Sequence, residues 1–268
     1  MTPTTIGIGT WRMGEDRSRS QAEIAAVRSA LDAGIRLIDT AEMYGDGAAE
    51  RIVGEAIRGR RDQCFLVSKV TPSNASRRGT IAACERSLER LGTDRIDCYL
   101  LHWSGRHPLS DTLEAFEDLK QQGKIGRWGV SNFDLDEMKA LMALPGGREC
   151  AANQVYYSLT ERGIDFEFRP WLDEQGVVTI AYCPLDQGEL ARDPRLVPIA
   201  ERLDITPGQL ALAWIVSRPG CWAIPMTRSA ARAAENAAVL EIRLDSATLE
   251  QLERQFPRPK RRTVLKIV

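Results

Sequence analysis

Short apolar runs, mostly three to six residues long, alternate along the chain with longer stretches whose hydrophobic positions recur at helical spacing. Runs so short and so continuously apolar read as strands buried on both faces; the longer stretches read as helices with one face inward. Residues 6–10 form a glycine-interrupted strand, and 21–33 form a helix carrying Ile24, Val27 and Ala30 or Leu31, stopped at Gly34. Strand 36–38 follows, then a loop 39–47 and a helix through Ile52, Val53, Ala56 and Ile57. The unit repeats as strand 64–70 with helix 80–91, strand 96–102 with helix 112–122, and strand 126–130 with helix 135–144. Strand 153–156 leads to a helix around 166–174, ended by Gly176, and strand 177–182 leads to helices 196–203 and 207–217. Thr206 and Pro207 fit the N-cap and first helical position of the last of these. A final strand, 222–224, precedes helices 230–240 and 248–256.

Eight such strands alternating with helices predict an α/β chain folded as a closed (β/α)8 barrel, one domain over residues 1–268, with the last helix additional to the repeat. An open doubly wound sheet would carry a GxGxxG turn after its first strand, and Gly7-Ile8-Gly9 lacks the third glycine.

Composition narrows the partners. A net charge of −1, with acids and bases interspersed, gives no electrostatic case for nucleic acid or an anionic membrane. No apolar run approaches the roughly 20 residues of a spanning helix. Six scattered cysteines lack CxxC spacing and do not cluster with the two histidines, which argues against a disulfide framework or a metal site. Cys64, Cys98 and Cys183 fall in strand-like runs as small core residues. The expectation is a cytoplasmic, reduced, monomeric protein whose basic stretch, Arg258 to Arg262, is a solvated and loosely ordered C-terminus.

The chemistry gathers at the ends of the strands. Asp39 and Tyr44 follow the second, Lys69 closes the third, and His102 closes the fourth. The C-terminal end of a barrel strand is where such enzymes place catalytic groups. A phenol is a weak acid near neutrality; a neighbouring ammonium lowers its pKa, a carboxylate holds that ammonium charged, and an imidazole orients a carbonyl oxygen. Together the four groups suit protonation of a carbonyl as hydride reaches its carbon.

The series of motifs resembles the aldo-keto reductase family over nearly the whole chain. Gly9-Thr10-Trp11, Asp39-Thr40-Ala41 with Tyr44-Gly45, Ser68-Lys69, Leu101-His102-Trp103 and Gly129-Val130-Ser131-Asn132-Phe133 stand in that family's order. So do Asn153-Gln154, Tyr182-Cys183-Pro184-Leu185, and Ile224-Pro225 with Arg232 and Glu235-Asn236. The resemblance implies that Tyr44 is the general acid, tuned by Lys69 and Asp39, with His102 positioning the carbonyl. It implies a nicotinamide cofactor at the barrel mouth. Gly9, Thr10 and Trp11 would lie along it, Ser131, Asn132 and Gln154 would hold the carboxamide, and Tyr182 would stack on the ring. Cys183, Leu185, Gln187 and Gly188 would line the pyrophosphate loop, and Thr227, Arg228, Arg232, Glu235 and Asn236 the adenosine end. Trp11, Met43 and Trp103 are candidate substrate walls, with His107 a further candidate, and each fits a packing role equally.

One departure bears on the cofactor. Many relatives have Ile-Pro-Lys-Ser where this chain has Ile224-Pro225-Met226-Thr227. The preference leans to NADPH, on Arg232 and the Thr227 hydroxyl, with NADH or dual use open. The tryptophans suggest small aldehydes or ketoaldehydes, as in 2,5-diketo-gluconate and methylglyoxal reductases. Two other readings stand beside the reductase: a cofactor-bound sensor with vestigial catalysis, and a lyase using Lys69 as a Schiff-base amine.

Overall fold

A computed structural model describes residues 3–268. Its elements run β1 (Gly7–Gly9), α1 (Ser20–Asp32), β2 (Leu37–Asp39), α2 (Ala48–Ile57), β3 (Phe65–Val70), α3 (Arg77–Leu91), β4 (Ile96–Leu101) and α4 (Leu109–Gln121). Then come β5 (Ile125–Ser131), α5 (Leu135–Met142), β6 (Ala152–Tyr156), α6 (Phe168–Gln175), β7 (Val178–Tyr182), α7 (Val197–Arg202), α8 (Pro207–Val216), β8 (Cys221–Ala223), α9 (Ala230–Ala237) and α10 (Ser246–Gln255). The strands lie side by side in chain order, each parallel to the next, as a (β/α)8 barrel requires. The last and first strands meet through the bridges Ile6–Ala223 and Gly9–Met226. Gly9 permits that approach, because a Cβ there would lie 2.8 Å from the Ile224 carbonyl oxygen.

Strand periodicity sorts the side chains into two cores. Leu37, Phe65, Val67, Cys98, Leu100, Ala152, Ile180 and Ile224 fill the barrel, while the alternate residues pack outward against the helices. One step of two residues beyond Leu37, Val67, Leu100, Ala152 and Ile180 stand Asp39, Lys69, His102, Gln154 and Tyr182. The inward face therefore changes from apolar to polar at the C-terminal ends of the strands. That change makes the site.

Several boundaries differ from those the sequence predicts. The second strand is Leu37–Asp39, not 36–38, so Asp39 belongs to the sheet. The Arg36 guanidinium donates instead to the carbonyl of Leu31 in the last turn of α1 and to that of Ile35 beyond it. Helix α3 starts three residues early because the Ser76 hydroxyl caps it through the Gly79 N–H. Thr206 caps α8 as expected, in a full capping box with Gln209. Cys183 is not a strand residue: it lies just past β7 with φ 47°, the left-handed region.

The C-terminal segment is docked on the barrel. Arg262 reaches Asp136 at 2.7 Å and Glu167 at 3.4 Å, Leu265 packs against the outer core, and Lys266 lies over the Tyr156 ring. Complementary acids on and before α5 and α6, absent from the local sequence, hold what reads in isolation as a solvated tail.

Candidate active site

Lys69 is fully buried, and its ammonium has three protons to place. It lies 2.8 Å from both carboxylate oxygens of Asp39, 2.8 Å from the Thr40 carbonyl and 3.2 Å from the Tyr44 hydroxyl oxygen. The phenol accepts from the ammonium, which leaves its own O–H free to donate elsewhere. Burial pushes the Lys69 pKa down, and the Asp39 carboxylate opposes that shift. Behind β3, the Ser68 hydroxyl donates to buried Glu50 at 2.6 Å, and Arg90 pairs with the same carboxylate. These contacts fix the strand carrying Lys69 to α2 and α3.

Tyr44 comes from the loop after β2. Glu42 anchors that loop by accepting from the Thr71 N–H, the Thr71 hydroxyl and the Asn74 amide, all within 2.9 Å. The Tyr44 pKa is raised, first by burial and then by the Asp39 carboxylate. The sequence argument, that a neighbouring ammonium lowers it, is overturned in this geometry, because desolvation and the carboxylate outweigh the ammonium. The phenol therefore holds its proton at neutral pH and is available as a donor.

His102 lies just past β4, edge-on to Tyr44 with ring centroids 5.8 Å apart. Burial, and then the Lys69 charge, push its pKa down to about 2, so the imidazole is neutral. Its Nδ1 is buried without a hydrogen-bond partner. A neutral, under-bonded imidazole beside the Tyr44 ring is suited to a hydrogen bond with a polar group.

The carboxamide candidates sit on the next strands. The Gln154 amide nitrogen donates to Asp39 at 2.7 Å, which leaves its carbonyl oxygen as the acceptor. Asn132, at φ 59°, donates to the His102 carbonyl and the Ser131 hydroxyl, and its oxygen accepts from Tyr182 at 2.8 Å. Ser131 also donates to the Gln154 carbonyl. Beyond Tyr182, the loop through Leu185 holds Cys183, Asp186, Gln187 and Gly188 at positive φ. Burial pushes the Cys183 thiol up to about 11, so it stays protonated. Thr10 is buried and donates to the Asp39 carbonyl, and Trp11 faces the Arg12 guanidinium at 4.5 Å. Met43 and Trp103 are exposed at the rim, and His107 is half-buried.

The adenosine-end residues divide. Thr227 is buried and Arg232 is exposed in the first turn of α9. Arg228 is engaged with Glu23 at 3.1 Å and with the Arg12 carbonyl. Glu235 accepts from Thr206, and Asn236 is half-buried beside it. Sequence reasoning missed Glu23, Glu42 and Glu50, three acids tied to this site, because nothing in their neighbourhoods separates them from solvated helix or loop acids. It also missed the C-terminal segment, where Lys266 lies 3.7 Å from Asp186 in the loop after β7.

The arrangement can donate a proton from Tyr44 to an oxygen held by His102, beside a surface that offers an amide acceptor and a positively-φ loop. Among known proteins, the model described as the Aldo/keto reductase family matches residues 5–255. Methylglyoxal reductase YeaE of Escherichia coli is 48% identical over 268 residues, covering 98% of this chain and 94% of that protein. An aldo/keto reductase from Klebsiella pneumoniae, solved in complex with NADP and acetate, superposes with a TM-score of 0.96 at 47% identity, covering 98% and 95% of the two chains. A second Klebsiella pneumoniae aldo-keto reductase, in complex with NADPH, gives 0.96 at 45% identity and full coverage of both, 100% each.

Proposed function

We propose, from the premise that the chain belongs to the aldo/keto reductase family, that its substrates are small 2-oxoaldehydes such as methylglyoxal, reduced with NADPH and protonated by Tyr44. It is a nicotinamide-dependent oxidoreductase that converts carbonyls to alcohols. The observation that carries the residue assignments is the Asp39–Lys69–Tyr44 chain, whose only phenolic proton remains free to donate. The substrate class rests on similarity to a methylglyoxal reductase.

The residues present fit a nicotinamide nucleotide. Gln154 keeps an unused amide oxygen, and the buried His102 Nδ1 lacks a partner. Ser131, Asn132 and Gln154 would hold the carboxamide and Tyr182 the ring. Gly9, Thr10 and Trp11 would lie along the cofactor, residues 183–188 would hold the pyrophosphate, and Thr227, Arg232, Glu235 and Asn236 the adenosine end. When bound, the nicotinamide supplies the hydride that reduces the carbonyl carbon.

The protein's own groups do the rest. Neutral His102 donates to the carbonyl oxygen and fixes its direction. Tyr44 gives that oxygen its proton, and the resulting phenolate is stabilised by the Lys69 ammonium, which Asp39 holds in place. Trp11, Met43 and Trp103 would exclude water around the substrate. The six free thiols fit a reducing, cytoplasmic location, and a monomer completes the proposal.

The test is the initial rate of absorbance loss from NADPH and from NADH, side by side, with methylglyoxal as acceptor. Turnover faster with NADPH supports the proposal. Measurable cofactor binding without turnover over a panel of aldehydes and ketones would favour a sensor instead.

A further inference from the structure

Glu23 is a fully buried carboxylate on α1 that the proposed chemistry does not use. One oxygen accepts from the Gly14 N–H at 2.9 Å; the other lies 3.1 Å from Arg228 Nε. Arg228 comes from the opposite side of the barrel seam, in the loop between β8 and α9, and also donates to the Arg12 carbonyl. The seam needs such a tie. Between β8 and β1 the ladder thins to isolated bridges, and at the same edge α1 is joined to α9 by the Ser29 hydroxyl donating to the Ala230 carbonyl.

The contacts continue towards the chemistry. Gly14, at φ 80°, presses on the start of α2, where a Cβ would lie 2.5 Å from Ala48 Cβ. Gly45, the residue after Tyr44, packs on the Met13 carbonyl, which a Cβ there would meet at 3.0 Å. Glu23 therefore stands between the loop that follows Pro225 and the loop that carries the proton donor.

We infer that Glu23 and Arg228 form a staple across the seam that positions residues 226–232 and the loop 11–15 for the cofactor. Arg228 is on this account a positioning residue, and Arg232, exposed and in the first turn of α9, is left to meet a 2′-phosphate. The inference rests on the proposed cofactor use. The Nε edge of Arg228 faces a buried carboxylate, an ion pair without hydrogen-bond geometry, and its Nη2 donates to a backbone carbonyl. The side chain is thereby held at the seam, whereas Arg232 is exposed to solvent.

The test measures dissociation constants for NADPH and NADH, by quenching of tryptophan fluorescence, in the wild type, Glu23→Gln, Arg228→Ala and the double variant. All measurements are made well below each variant's melting temperature, which is recorded in parallel. A staple predicts that each single variant weakens both cofactors alike, by about three- to tenfold, and that the double variant is no worse than either single one. Selective loss of NADPH in Arg228→Ala, with Glu23→Gln unchanged, would overturn it in favour of direct phosphate contact. Additive losses would also overturn it. If Glu23→Gln does not fold, Arg228→Ala, whose side chain is partly exposed, still separates the two accounts by its NADPH-to-NADH ratio. Failure of the wild type to bind either nucleotide would sink the cofactor assignment itself, a result distinct from wild-type binding that the variants leave intact.

Discussion

Gln154 donates its amide proton to Asp39 across the barrel at 2.7 Å, so a residue assigned to the cofactor also touches the group that holds Lys69. One side chain joins the two halves of the site. Gln154→Leu removes the acceptor offered to a carboxamide and leaves a buried carboxylate oxygen short of a donor, at about 1–3 kcal/mol. The expected result is weaker NADPH binding together with a lower kcat. Asn132→Ala, which touches no part of the Asp39–Lys69 pair, is expected to weaken binding with a smaller effect on kcat. Steady-state kinetics beside direct binding would separate the two, and equal kcat effects would remove the special role of the Gln154–Asp39 bond.

The Asp39–Lys69 pair is expected to be worth more intact than halved. Lys69→Met strands a buried carboxylate and should destabilise the fold by about 3–5 kcal/mol. Adding Asp39→Asn removes the stranded charge and should restore much of that stability without restoring turnover. Urea denaturation of the wild type and the two variants measures it; a double variant less stable than Lys69→Met would contradict the prediction.

His102 makes stability depend on pH. Its folded pKa of about 2 lies below the unfolded value of 6.5, so below pH 6.5 the unfolded chain binds a proton that the folded chain refuses. The stability this contributes is complete above 6.5 and is lost as pH falls towards 2, at up to about 1.4 kcal/mol per pH unit. The melting temperature should decline with acidity from just below neutrality. His102→Gln should flatten the part of that decline between about pH 6 and about pH 5, before the carboxylates titrate. An identical slope in wild type and variant would show that the ring is not buried neutral.

Arg232→Ala is expected to weaken NADPH binding by about tenfold or more and leave NADH nearly unchanged, since only NADPH carries the 2′-phosphate that a guanidinium fork can pair. Equal losses for the two nucleotides, read by fluorescence titration, would mean that Arg232 does not read the phosphate.

Much of this site was legible in the sequence because the end of an apolar run is a local signal. Asp39, Lys69 and His102 each follow or close such a run, whereas Gln154 and Tyr182 are legible only through the family resemblance. The eight-fold alternation of strands and helices was legible for the same reason. What was not legible depends on partners remote in the chain. Arg228 reads as a free cation until Glu23, 205 positions earlier, is seen beneath it. The tail reads as solvated until Asp136 and Glu167 are found under Arg262. The direction of the Tyr44 shift was misjudged because a sequence displays the neighbouring charge but not the depth of burial that outweighs it.

The central claim is that Tyr44 is the proton donor, and Tyr44→Phe tests it most directly, since it removes one hydroxyl and leaves the ring. The measurement is the rate of NADPH oxidation with methylglyoxal, taken beside the NADPH dissociation constant of the same variant. Loss of turnover by about 10²–10⁴-fold, with NADPH binding kept within about twofold, is the predicted result. Turnover within about tenfold of the wild type would contradict the assignment and return the role of acid to another group at the mouth of the barrel.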